Sequence, residues 1–131
     1  MIETLLHAER LLVHGQVDAA ERIYASTIAA DPHNSIAVVG LARVALERGD
    51  DRLAYQHACA ALEIDRQNAA ALRLEARLSE VLATRGEPVE RPAWLAEATA
   101  GAIARSAGDT AATGVESPPK RRGLVRRILG R

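Results

Sequence analysis

Residues 15–34 read GQVDAAERIYASTIAADPHN, and this stretch decides how the chain folds. Gly15 follows a segment with helical apolar periodicity, and glycine often ends helices because it adopts a left-handed backbone conformation without penalty. Asp18 has a glutamate three positions further on, which predicts a helix N-cap close to a capping box. Pro32 ends that helix, since the residue before a proline is disfavoured in the α region. Asn34 then caps the helix that follows. The stretch therefore predicts a turn, a helix and a second turn.

The same features return 34 residues later along the chain. Gly, Asp and Asn are not abundant types here, so a gap-free match at one offset indicates an internal repeat. Asp51 is expected to take the capping role in the second unit. The spacing predicts helices over residues 2–14, 18–31, 35–48, 52–65 and 69–85. The matched pairs are Ala8 and Ala42, Leu12 and Leu46, Gly15 and Gly49, Ala20 and Ala54, Asp31 and Asp65, and Asn34 and Asn68.

The period weakens after the second unit. Gly86 comes three positions later than the 34-residue step requires, and two prolines follow it. A sixth helix is expected to cap the open end of the array, since a terminal repeat has no neighbour to cover its apolar face. The sequence therefore predicts a helical repeat domain over residues 1–106, with repeats at about 1–34 and 35–68, a partial third at 69–85 and the capping helix at 93–106. A flexible linker at 107–119 and a basic amphipathic tail at 120–131 complete the chain.

With its 34-residue helix–turn–helix unit, the chain resembles the tetratricopeptide repeat family. The match rests on the small residue of the first helix, the glycine between helices, the alanine early in the second helix, a bulky aromatic and a closing proline. These are Ala8 and Ala42, Gly15 and Gly49, Ala20 and Ala54, Tyr24, and Pro32. Thr4 and Val38 replace the family's first-helix tryptophan, and Ala58 and Arg66 replace the aromatic and the proline of the second unit. The resemblance implies an all-α solenoid of helical hairpins wound as a right-handed superhelix.

The resemblance also implies a function without catalysis, as an adaptor or scaffold that binds a peptide or a helix of a protein partner in the concave groove of the repeats. By register, the residues expected in this groove are Leu5, Glu9, Leu12, Val39, Arg43, Leu46, Arg73 and Arg77. This set is apolar at one end and basic at the other, and fits a ligand with an apolar segment leading to an acidic one. An equally weighted interpretation makes the arginines solvated charges paired within their helices, for instance Arg43 with Glu47. The positions that clamp heat-shock chaperones in one subclass hold Leu5, Glu9, Gly40, Ala70 and Leu74, which argues against that ligand.

The charges of the chain are divided unevenly. Residues 117–131 hold six basic side chains and no acid, whereas all 17 acids lie before them. The tail pattern places the apolar residues on one helical face and the basic ones opposite. The residues expected to dock are Lys120, Arg121, Arg122, Leu124, Val125, Arg126, Arg127, Ile128 and Leu129. The tail could bind an anionic membrane surface, a protein groove or nothing at all, and nucleic acid is the least favoured partner because no aromatic is present for base stacking.

Catalytic and metal-binding patterns are not found in the sequence. His7, His14, His33 and His57 are dispersed, and Cys59 lies among alanines as a small packing residue. No cofactor, metal site or catalytic residue is therefore predicted. A cytoplasmic protein is favoured by the single cysteine, by an N-terminus without a signal-peptide core and by the absence of a membrane-spanning run. The Ala- and Arg-rich composition favours a bacterial protein.

Two hypotheses from different classes follow. The first is the peptide- or protein-binding adaptor. The second is a self-associating structural module that the tail docks to an anionic membrane surface, which would make the protein peripheral to the membrane. A homodimer would supply burial that two full repeats alone do not provide.

Overall fold

The computed structural model describes residues 2–101 and residue 104, and every regular element in this part of the chain is a helix. The helices are α1 (Ile2–Val13), α2 (Val17–Ala30), α3 (Ser35–Glu47), α4 (Asp51–Ile64) and α5 (Ala69–Thr84). A sixth, α6, begins at residue 93 and is described through 101 and at 104. The first five lie within a residue of their predicted bounds. The predicted all-α helical repeat fold is therefore confirmed.

From α1 to α5, each helix packs on the next one along the chain, and α1 also contacts α3. The bends after α1 and α3 are equivalent: Gly15 has φ 81° and Gly49 has φ 78°. In both bends the glycine N–H donates to a carbonyl three residues back, at 3.0 Å. Gly86, with φ 82°, makes the same bend after α5. Its late position has a simple cause, since α5 has 16 residues and α3 has 13.

Asparagine caps the first helices of the second and third units, as predicted. Asn34 Oδ1 accepts from the Ala37 N–H at 3.1 Å, and Asn68 Oδ1 accepts from the Ala71 N–H at 3.1 Å. These bonds satisfy N–H groups that a helix start would otherwise leave without a partner. The 34-residue offset therefore reproduces the cap as well as the helix.

The two predicted aspartate caps of the second helices are wrong. The predicted cap Asp18 is inside α2, which begins at Val17 after Gln16, a residue without a side-chain cap bond. The predicted cap Asp51 is the first residue of α4, and Asp50 caps instead, accepting from the Leu53 N–H at 3.1 Å. Both helices begin one residue earlier than predicted, at Val17 and at Asp51.

The core between the helices is made largely of small side chains. Buried alanines recur at equivalent positions of the two units, which lets the helix backbones approach closely. Tyr24 is the largest fully buried side chain, with 1% of its surface exposed. Its ring lies directly against Gly40, where a Cβ would collide with the ring carbons. The core alanines are Ala8, Ala20, Ala37, Ala42, Ala45, Ala54, Ala58, Ala61 and Ala71.

The chain forms two compact units, one ending at Ala96 and the other beginning at Glu97. In the first unit, Leu95 near the start of α6 is 4% exposed. The Arg66 guanidinium lies 4.1 Å from the centroid of the Trp94 ring, a cation–π geometry. The predicted role of residues 93–106 as a cap stays a prediction.

A candidate binding face on the first helices

The 34-residue step places equivalent residues of α1, α3 and α5 in rows across the first helices of the three units. Adjacent members of a row reach each other, as the ion pair between Glu9 and Arg43 shows with a distance of 3.1 Å. Four rows matter here: Ile2, Ile36 and Ala70; Leu5, Val39 and Arg73; Glu9, Arg43 and Arg77; and Leu12, Leu46 and Glu80.

A small hollow of about 70 Å³ spans all three first helices, and we call it the first hollow. Leu5 and Val39 form its buried floor, with 7% and 4% of their surface exposed. Ile36 stands in its wall and is 58% exposed. Its lining residues are Leu5, Glu9, Tyr24, Ile36, Val39, Gly40, Arg43, Asn68 and Ala70.

A second hollow of about 260 Å³ lies further along α1 and α3. Val13, in its wall, is 83% exposed. The second hollow shares Glu9 and Arg43 with the first, so their ion pair adjoins both. Its lining residues are Glu9, Leu12, Val13, Arg43, Leu46 and Glu47. We call the surface formed by the two hollows the first-helix face.

Six of the eight residues predicted for the groove line these two hollows, namely Leu5, Glu9, Leu12, Val39, Arg43 and Leu46. The interpretation that paired Arg43 with Glu47 inside α3 is wrong, because Arg43 donates to Glu9 of α1 instead. Both side chains of this pair are about half exposed, so it contributes at most about 1 kcal/mol to stability.

Arg73 and Arg77 lie beside the hollows rather than in their lining. Both are exposed on α5. Within residues 2–101 and 104, neither makes an ion pair, so pairing inside the helix does not neutralise them. They are the free cations next to the first-helix face.

Sequence reasoning missed Ile36 and Val13, the most exposed apolar residues of the face. A signal for Ile36 was present, because Ile2 stands 34 residues before it and two large apolar residues recur at that position. Val13 is the last residue of α1, and helical periodicity does not predict the side-chain direction of a residue next to a turn. A search for apolar residues that repeat off the core face would have found the first of them.

A larger hollow of about 500 Å³ lies on a different surface, formed by α2, α3 and α4. Its charged wall is already neutralised, since Arg48 pairs with both Asp18 and Glu21. This pairing lowers the pKa of Glu21. Leu53, which is 39% exposed, also lines this hollow, as does Arg22.

A buried polar cluster in the third unit was also missed. Glu75 is fully buried, and its carboxylate accepts from Arg91 Nε and Nη2, both at 2.6 Å. The Tyr55 hydroxyl donates to it at 2.9 Å. Burial raises the pKa of Tyr55, and this bond raises it further, so the hydroxyl stays a donor at neutral pH. The sequence contains a signal for this cluster, because the 34-residue step aligns Glu75 with Leu41 and so places a charged residue where the preceding unit has an apolar one.

Burial shifts the pKa values of two side chains that could react, Cys59 and His57. Burial raises the pKa of Cys59, which keeps it a thiol rather than a nucleophilic thiolate. Burial lowers the pKa of His57. In the described part of the chain, no three His, Cys, Asp or Glu side chains converge to hold a metal ion.

The predicted docking residues of the tail, Lys120 to Leu129, lie outside the described residues, as does the linker before them. Among the helices described, none combines the length and the apolar character that crossing a bilayer requires.

Comparison with known proteins agrees with the repeat. The sequence model of a family described as tetratricopeptide repeat matches residues 11–78. A 53-residue stretch is 43% identical to cellulose synthase 1 operon protein C of Komagataeibacter xylinus. That stretch covers 40% of this chain and 4% of the relative, so the two proteins share a short segment only.

Proposed function

This chain belongs to the tetratricopeptide repeat family, and on that premise we propose that it is a non-enzymatic protein-interaction module whose first-helix face binds a peptide or helix of a partner. Repeats of this family generally mediate protein–protein interaction. The finer proposal concerns where on this chain the partner binds.

The observation that carries the proposal is the first hollow, which crosses all three first helices and leaves Ile36 exposed beside a buried apolar floor. Exposed apolar side chains that border a groove often mark interaction sites, and Ile36 borders the apolar floor of this hollow. An apolar side chain of a ligand could contact Leu5, Ile36 and Val39 together. Burying such a side chain fully contributes about 1.5–3 kcal/mol, which is one part of the free energy that a bound peptide needs.

A non-catalytic role is supported by the state of the groups that could react. The Cys59 thiol has a raised pKa, and the histidines of the described chain do not cluster with other ligating groups. The face itself offers one ion pair and apolar walls, which can hold a partner but supply no nucleophile.

A peptide library tests the proposal without knowledge of the partner. A random 12-residue phage library is panned on the immobilised full chain, and the selected peptides are measured by fluorescence anisotropy. Ile36→Gln should weaken binding about tenfold, because the loss of part of an apolar contact is worth about 1.4 kcal/mol. The matched control is Leu53→Gln, an apolar-to-amide change at an exposed residue of the larger hollow.

Both variants place glutamine at an exposed position in the first turn of a helix, so circular dichroism should show the wild-type helicity in each. Selected peptides that bind Ile36→Gln as tightly as the wild type would refute the proposed face. So would equal losses from Ile36→Gln and Leu53→Gln, because the partner would then not discriminate between the two surfaces.

A further inference from the structure

The first-helix face carries an unbalanced row of charge. Glu9 and Arg43 neutralise each other at 3.1 Å, and Arg77 stands one repeat further along the same row. Within the part of the chain that the structure describes, no acid pairs with Arg77. Glu80 lies on the next turn of α5 and is exposed, yet it forms no ion pair with Arg77. The row therefore ends on a cation with an open pairing site.

Arg73 adds a second cation at the edge of the first hollow. It follows Ala70, which lines that hollow, by three positions, so the two share one face of α5. It is also one turn before Arg77, which places the two guanidinium groups as neighbours on the same face. Apart from Glu9, which pairs with Arg43, the acids at or beside this face are Glu47 and Glu80, which lie toward the C-terminal ends of α3 and α5. The positive region is therefore concentrated on the Arg73 side.

We propose that the partner presents an apolar side chain to the first hollow and an acidic side chain to Arg73 and Arg77. This inference rests on the proposed function and states the chemistry of its ligand. Packed helices lie about 8–10 Å apart, and a peptide in the polyproline II conformation rises about 3.1 Å per residue with about three residues per turn. When such a peptide crosses from α3 to α5, the acidic residue therefore stands about three positions from the apolar one, on the same side of the peptide.

The geometry favours an acidic ligand for a specific reason. A carboxylate between the two guanidinium groups completes the row that begins with Glu9 and Arg43, and relieves the repulsion between two neighbouring cations. A basic ligand at the first hollow would meet these two cations, because the exposed acids Glu47 and Glu80 lie further toward the C-terminal ends of α3 and α5. Arg73 and Arg77 themselves lie outside the heat-shock clamp positions, although four of those positions line the first hollow, namely Leu5, Glu9, Gly40 and Ala70.

The test uses the peptides selected from the same 12-residue library on the full chain. Among peptides that lose affinity on Ile36→Gln, an Asp or Glu about three positions from an apolar residue should be enriched over its frequency in the unselected library. The paired variant Arg73→Gln with Arg77→Gln should weaken their binding about fivefold or more at low salt. The difference from the wild type should shrink in high salt, since exposed charges are screened.

Two controls separate position from net charge. Arg10→Gln with Arg22→Gln removes the same charge from two other exposed arginines and should leave affinity unchanged. Arg73→Glu with Arg77→Glu should bind poorly to the selected peptides and recover binding when the acidic residue of the peptide is changed to lysine.

The outcomes distinguish the two proposals. Peptides that lose affinity on Ile36→Gln but not on Arg73→Gln with Arg77→Gln, and that show no acidic enrichment, overturn this inference and leave the proposed function standing. Equal losses from the two arginine pairs also overturn it, since net charge would then explain the effect. If Ile36→Gln changes nothing, or if the library yields no binding peptide, both proposals fail.

Discussion

Replacing Arg91 by methionine should be among the most damaging single changes in this chain. The Glu75 carboxylate is fully buried and receives two bonds from Arg91, each at 2.6 Å. Methionine fills much of the same volume but leaves that carboxylate in the core with Tyr55 as its remaining partner. Removing one member of a buried ion pair typically costs about 3–5 kcal/mol, because the other charge stays buried without compensation.

The exposure of the arginine refines this expectation. The side chain of Arg91 is 25% exposed, so water can reach part of the site and the loss should lie near the lower figure, about 3 kcal/mol. That is still a large share of the roughly 5–15 kcal/mol that stabilises an ordinary domain. By contrast, Arg52→Met should change stability by less than about 1 kcal/mol, since its pair with Glu87 is 3.4 Å long and about half exposed on both sides.

Urea unfolding of the full chain, followed by circular dichroism, measures these differences as shifts in the midpoint. The double variant Glu75→Leu with Arg91→Met removes both charges and should be more stable than Arg91→Met alone, because no charge is then left buried. The reasoning is refuted if Arg91→Met and Arg52→Met cost the same. It is also refuted if the double variant loses the sum of its two single changes, since the pair would then have no coupling.

Two further predictions concern the aromatic side chains. Tyr24→Phe should leave stability unchanged or raise it by up to about 1 kcal/mol, because the buried Tyr24 hydroxyl has no hydrogen-bond partner among the described residues. Tyr55→Phe should instead cost about 1–3 kcal/mol, because the hydrogen bond to Glu75 is lost. Thermal unfolding of the matched pair checks this, and a larger loss from Tyr24→Phe would contradict it. Gly40→Ala should destabilise the protein by about 1–3 kcal/mol despite the higher helix propensity of alanine, because the added Cβ collides with the Tyr24 ring. A rise in the unfolding midpoint of this variant would contradict the prediction and show that the ring can move aside.

The sequence was sufficient for those parts of the fold that local chemistry determines. Glycine at Gly15 and Gly49 and asparagine at Asn34 and Asn68 act on their own turn of backbone, so their roles could be read from type and spacing. The aspartate caps failed for a local reason as well. Asp50 and Asp51 are adjacent acids, and choosing between them requires the backbone angle of the preceding bend, which residue types do not give.

The side-chain partners could not be predicted, because they depend on which helices become neighbours in space. Arg43 and Glu9 are 34 residues apart, so a search for partners one turn away in the same helix chose Glu47 instead. The first-helix face was partly predictable, because its rows of residues follow the 34-residue repeat, which is visible in the sequence. Ile36 was omitted because the register argument favoured residues that lie deeper between the helices.

Opposite sides of α5 carry the buried polar cluster and the arginines beside the first-helix face. Glu75, Leu78 and Leu82 are buried on one side of the helix, whereas Arg73 and Arg77 are exposed on the other. In the second unit, a full second helix packs on α3 and fixes its orientation. After α5 the chain departs from the period, and the bidentate bond from Arg91 to Glu75 holds the connecting segment against this helix instead. The buried glutamate that sequence reasoning missed therefore ties the connecting segment to the side of α5 opposite Arg73 and Arg77, whereas α4 packs directly on the same helix.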